Sequence, residues 1–399
     1  MNVIARNQDN ALTSHSRLRV IRSWLPCMAA VALAPIHFAA ASPHIPASDA
    51  QILAELPAGA RHATLPSRTL TETRLDIALP LAQFDVSRAR ATDDLRFLGY
   101  AEAILAPWMK QAAVAPQVLV LDATILQSRH AFDASLVELD RALKARPDDA
   151  QGWLTRATVL RVLGRYHEAL ASCEHLAAAA DPAITSLCFE SLRGLMGHLK
   201  SAYATVSSLP SPALPPEARA WRYSELGEMA ERLGNDEAAE HWFREGLQLA
   251  PEDMYMRSAC ADLLLRHGRA AETLQLLSGY ESMEPMLLRV AIAHKALRDG
   301  DGSHAEDQLS TAFEVEQRRG DAVHRREQAR FLLDVDRQPL AALAAAQENW
   351  RVQREPDDIL ILLRAARAAH QAQAGAVALQ FLRQTGLEDA RLEPYRSAT

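Results

Sequence analysis

Glycine is scarce in this chain, 16 residues of 399, and aromatic residues make up only 6%. Few glycines suit a helical protein, because each costs about 1 kcal/mol against alanine in a helix interior. Lysine is almost missing: Lys110, Lys144, Lys200 and Lys295 are the only four. The arginine bias reads as codon usage in a GC-rich genome, not as function. No catalytic motif is present. There is no Gly-x4-Gly-Lys-Ser/Thr phosphate loop, no His-Glu-x-x-His and no Gly-x-Ser-x-Gly,. Gly300-Asp301-Gly302-Ser303 lacks the strand that a phosphate cradle needs, so it reads as a turn between helices,. Cysteine is limited to Cys27, Cys173, Cys188 and Cys260.

What is present begins with an export pattern. Arg17, Arg19 and Arg22 precede a mostly apolar run from Trp24 to Phe38, and Ala39-Ala40-Ala41 follows. That order predicts a signal peptide over 1–41, cut after Ala41, and a periplasmic or secreted product. The run is too short to cross a membrane as a helix. Residues 1–41 take four arginines and one aspartate with them. The rest keeps 39 of the 43 basic and 49 of the 50 acidic residues, a net of −10. Such a charge argues against nonspecific binding of nucleic acid or of an anionic membrane.

Residues 42–80 read as a linker with one or two short helices, punctuated by Pro43, Pro46, Pro57, Pro66 and Pro80,. From 81 to 390 the helical periodicity is nearly continuous, and proline keeps time within it. Pro147, Pro182, Pro216, Pro251 and Pro285 are spaced by 35, 34, 35 and 34 residues, and Pro356 lies 71 further on. A period near 34 predicts helix–turn–helix units stacked into an all-α solenoid of about eight or nine repeats. A solenoid escapes the size limit of a single core, because each unit buries itself against its neighbour.

The clearest unit carries Leu226, Gly227, Gly234, Ala239, Phe243 and Pro251. The unit from Ala150 matches with Trp153, Ala157, Leu160, Gly164, Tyr166, Ala169 and Cys173. Ala123, Ser135, Leu139 and Ala142 match in the unit from Pro116, and Ala261, Leu264, Gly268 and Leu277 in the unit from Met254. This pattern resembles the tetratricopeptide repeat, most clearly over 116–285. Small residues stand where two helices come closest, large ones fill the space between repeats, and glycine ends the first helix. The resemblance implies a right-handed superhelix whose first helices line a concave groove. It implies a non-catalytic scaffold, not an enzyme, that binds another protein or an extended peptide and needs no cofactor or metal. The sequence does not fix the oligomeric state.

By that resemblance the groove shows Gln127, Thr158, Arg161, Trp221, Ser224, Glu228, Glu231, Tyr255, Asp262 and Arg266. Trp221 and Tyr255 stand one period apart, so their rings are expected side by side, unless Trp221 plugs the joint between repeats. Glu225, Glu228 and Glu231 recur every three residues and read as a solvated helix face,. Cys173 falls on a second helix and Cys188 on the next first helix. A bridge between them and three separate buried thiols both remain open. Metal delivery or enzyme accessory work through histidines is the alternative function. His167, Cys173 and His175 are the nearest thing to a ligand set, but Cys173 and His175 point to different helix faces,.

Overall fold

The prolines fall where the chain enters helices. A computed structural model describes residues 74–92, 94–210, 214–319 and 323–396. The segment expected to be a signal peptide, and nearly all of the expected linker, lie outside the described residues. Within them are nineteen α-helices and no strand. Nine helix pairs follow one another: α1 (Leu75–Thr92) with α2 (Arg96–Met109), α3 (Pro116–Ser128) with α4 (Phe132–Ala145), α5 (Ala150–Val162) with α6 (Tyr166–Leu176), α7 (Pro182–Arg193) with α8 (Leu199–Ser208), α9 (Pro216–Arg232) with α10 (Asp236–Leu249), α11 (Met254–Arg266) with α12 (Ala270–Leu277), α13 (Glu284–Leu297) with α14 (Ser303–Arg319), α15 (Arg325–Asp334) with α16 (Pro339–Val352), and α17 (Pro356–Ala368) with α18 (Ala376–Thr385). A short α19 (Glu393–Arg396) ends the described chain.

Pro182, Pro216 and Pro356 open α7, α9 and α17, where a missing N–H costs nothing,. Asp149, Asp181 and Asp253 cap α5, α7 and α11 by accepting hydrogen bonds from Gly152, Ala183 and Met256 backbone N–H groups,. The linker boundary expected at residue 80 falls inside α1, which runs through Pro80. Burial of Ala78, Ala82, Val86 and Ala89 against α2 and α3 outweighs the one lost backbone bond,.

The pair geometry follows the small residues. Ala123, Ala157, Ala261, Ser135, Ala169 and Ala239 are buried, and the Ser135 hydroxyl donates to the Ala123 carbonyl at 2.7 Å across the α3–α4 pair. A Cβ on Gly227 would lie 2.3 Å from the Phe243 ring, so α9 and α10 touch there. The turn inside each pair from α3–α4 onward holds a left-handed residue, Gly197 in the α7–α8 pair. Gly164, Gly234 and Gly268 supply it at φ of 73°, 74° and 70°, while His130, Arg298, Arg337 and His370 supply it elsewhere,. Nine stacked pairs with these contacts make the chain a tetratricopeptide-like solenoid.

The array then returns on itself. The Arg354 N–H donates to the Val162 carbonyl at 2.8 Å, joining the α16–α17 turn to the end of α5. One continuous core contains Leu154, Ala157, Leu160 and Leu176 from α5 and α6, and Ile359, Leu362, Phe381, Leu387 and Leu392 from the C-terminal part. From α18 onward the chain runs along the first turns of three successive pairs. Phe381 lies against Gly164, Gly386 against Gly197, and Ala390 against Gly234. The turn at Gly268 has no such neighbour.

Candidate functional site

This return decides what the concave side presents. The Glu225–Glu228–Glu231 face is not solvated: Glu225 is 1% exposed and Glu231 6%. Burial demands partners, and each carboxylate has one. Arg161 donates to Glu225 at 2.5 Å and to Glu228 at 3.0 Å. Glu231 accepts from Arg266, and from Arg391 at 2.8 Å. The sequence period places the three glutamates correctly on one face. It does not show that residues 354–392 come back to cover that face.

Between the walls remains a cavity of about 810 Å³. Glu228, Glu231, Tyr255, Asp262 and Arg266, all expected in the groove, line it. Ser224 is buried beside it, its hydroxyl 3.4 Å from Glu228. Arg161 stands behind the cavity and serves the two glutamates. Gln127 and Thr158 are half-buried and do not line it; the Thr158 hydroxyl bonds to its own helix, at the Leu154 carbonyl. Trp221 and Tyr255 do not form a shelf. Trp221 packs into the core and donates to Glu225 at 3.0 Å, whereas Tyr255 is 52% exposed and faces the cavity.

Sequence reading missed the opposite wall. Asp262 accepts from Arg289 at 2.6 Å and from both terminal nitrogens of Arg330 at 2.8 Å. Arg364 reaches Asp334 at 2.6 Å, and Arg391 reaches Asp357 at 2.8 Å. The proline period held a usable signal. Tyr255, Arg289 and Leu360 each stand four residues after a period proline, and all three line the cavity.

The electrostatics follow from burial and pairing. Burial pushes Glu228 up to about 7, against the pull of Arg161. Burial also raises Glu231, opposed by Arg391 and Arg266. Asp358, at the start of α17, is pushed up to about 6 by burial, with Arg326 opposing. At Asp262 burial pushes the same way, but Arg289 and Arg330 outweigh it and hold the carboxyl well below its usual range. The cavity is therefore two-sided. Carboxylates gather on α9 and the start of α17, and arginines on α13, α15 and α17.

The histidine set does not assemble. Cys173 and Cys188 form a disulfide between α6 and α7, with Cα atoms 5.8 Å apart, so Cys173 has no thiolate to offer a metal. The His175 ring stacks on Trp153 at 4.2 Å. Cys260 is a buried free thiol. Two other groups bring carboxylates to a histidine: Glu284 and Glu316 with His324, and Asp299 and Asp301 with His294. In each the histidine ring lies within hydrogen-bond distance of a carboxylate. The His324 Nδ1 lies 2.6 Å from Glu316 and 3.2 Å from Glu284. Burial alone would lower its pKa, but the two glutamates raise it to about 11.

No family model matches the sequence, and no curated protein matches it. Solved structures do resemble the fold. One is the Pseudomonas aeruginosa PilF structure, at 18% identity and a TM-score of 0.37, over 50% of this chain and 92% of that one. The Cut9–Hcn1 hetero-tetramer of the APC/C is similar at 12% identity and 0.48, over 81% of this chain and 63% of that one. The P58(IPK) TPR domain is similar at 13% identity and 0.25, over 70% and 96%.

Proposed function

We propose that the protein is a non-catalytic scaffold of the bacterial cell envelope that binds another protein through an extended segment held in the cavity. The observation that carries this is convergence. Five residues expected to face a partner, Glu228, Glu231, Tyr255, Asp262 and Arg266, line one concave space between two walls of opposite charge. Tyr255 presents an aromatic ring to that space, and aromatic side chains flanked by arginine are frequent anchors of protein interfaces,. The charged walls fix the direction in which a segment lies. The envelope setting is supported by the export pattern and by the Cys173–Cys188 bridge, which suits an oxidising compartment,.

A displayed peptide library selected against the full chain tests the reading. Selected peptides should bind at least tenfold more weakly to Tyr255→Ala, whose melting stays near that of the native protein because the ring is half exposed. Peptides that ignore Tyr255→Ala but are lost on Val137→Glu, at an exposed site on α4, would contradict cavity binding. N-terminal sequencing of the native protein should begin at Ser42; an intact Met1 would remove the envelope setting.

A further inference from the structure

The C-terminal segment is more than a cap. We propose that residues 386–396 are an internal occupant of the binding cavity, a strap in which Arg391 holds the place of an arginine or lysine of the partner. This rests on the reading that the cavity binds a partner's extended segment, and it names that segment's chemistry.

The strap forms part of the cavity wall through Ala390, Arg391 and Tyr395. Arg391 is surrounded by carboxylates. One terminal nitrogen lies 2.8 Å from both Glu231 and Asp357, and the other 2.7 Å from Asp389 of the strap itself. Leaving the strap aside, the residues that line this side are Glu228, Glu231, Glu355 and Asp357 against Arg232, Arg266 and Arg326. Arg391, with Asp389 of the strap beside it, is the further cation that the chain places between Glu231 and Asp357.

The seat of the strap is built for backbone. Gly386 meets the backbone of Gly197, and Ala390 meets the position that a Cβ of Gly234 would take. The Glu388 carboxylate accepts from the Leu199 N–H at 3.1 Å, at the start of α8. Such contacts ask for small residues at 386 and 390; from Ala390 onward the strap coils into a 3-10 turn, Ala390–Leu392, that carries Arg391, and then into α19. Leu387, Asp389 and Leu392 are the buried anchors of the strap. The next turn along the same edge, at Gly268, is uncovered, so a longer segment has room to continue.

The test uses the full chain and a synthetic peptide with the sequence of residues 386–396. The tethered strap competes at an effective concentration on the order of millimolar, so the native protein should bind the peptide poorly. Arg391→Ala should speed amide exchange of the strap at least tenfold while α9 and α17 stay protected. That variant should bind the peptide at least tenfold more tightly than the native chain does, and a peptide with alanine at its arginine at least tenfold more weakly. Asp357→Asn, at a half-exposed partner of Arg391, should move both readouts in the same direction and serves if Arg391→Ala unfolds. An unchanged strap exchange rate in both variants, or a peptide indifferent to its arginine, overturns the inference. Library peptides that need Tyr255, together with such an indifferent strap peptide, overturn it and leave cavity binding standing. If no library peptide needs Tyr255, the reading on which both rest falls.

Discussion

Gly227 is the position where one added methyl says most about the helix register. A Cβ there would lie 2.3, 2.5 and 2.7 Å from three carbons of the Phe243 ring. Ordinary carbon contacts start near 3.5 Å, so the ring must move by roughly an ångström. It has nowhere to go. Phe243 is wholly buried, and one turn further along the same side of α10 the Cβ position of Gly246 is only 2.2 Å from the Met256 sulfur of α11 and 3.0 Å from Tyr223 of α9. The helix is thus pinned between α9 and α11. Gly227→Ala gains about 1 kcal/mol of helix propensity, while overpacking a core costs about 1–3 kcal/mol or more. We expect a net loss of roughly 1–2 kcal/mol for Gly227→Ala and several kcal/mol for Gly227→Leu. Urea unfolding measures both. Phe243→Leu alone should also destabilise, but combined with Gly227→Ala it should cost at least about 1 kcal/mol less than the sum, since the smaller side chain relieves the clash. A Gly227→Ala protein as stable as the native one, or strictly additive losses, would refute the contact.

Glu231→Ala should cost about 3 kcal/mol in thermal unfolding, because it strips a buried partner from Arg266 and Arg391,; a loss within half a kcal/mol would mean that this face meets water. Glu228 has a folded pKa of about 7 against 4.5 unfolded, so the folded state holds the extra proton between those values and its contribution to stability falls as pH rises from 4.5 to 7,. Glu228→Gln should remove a slope worth up to about 3 kcal/mol, seen as a smaller difference in stability between pH 5 and pH 8 than the native protein shows; an unchanged difference would place the carboxyl in solvent. Reducing the Cys173–Cys188 bridge, which spans 15 residues, should cost roughly 3 kcal/mol,. Thiol titration of the denatured, unreduced protein cut after Ala41 should then find one free thiol, and three would exclude the bridge.

The repeat itself was legible because its punctuation is chemical. Prolines open first helices, and glycines take the left-handed turn positions at 164, 234 and 268. Where the same turn uses Arg298, Arg337 or His370 the signature fades, although the backbone conformation is the same. That is why the resemblance is clearest over 116–285 while the structure holds regular pairs beyond it. The groove face was half legible. Tyr255, Asp262 and Arg266 follow from the repeat register, but burial of Glu225 and Glu231 depends on contacts such as Arg391–Glu231, 160 residues apart. No local pattern encodes how far a superhelix turns before its end meets its middle.

That closure is tested most directly by an engineered bridge. A Cβ on Gly234 would sit 3.3 Å from the Cβ of Ala390, close to the separation of about 3.8 Å that a disulfide needs. The double variant Gly234→Cys/Ala390→Cys should therefore form an intramolecular disulfide under mild oxidation, joining α9–α10 to the C-terminal strap. It should appear as a monomer of faster mobility on a non-reducing gel and as a Gly234–Ala390 linked fragment by mass spectrometry. Gly268→Cys/Ala390→Cys should not, since the Gly268 turn has no neighbour within 4 Å. If the first pair stays reduced, or links only between molecules, the C-terminal helices do not return to the array and the closed cavity does not exist.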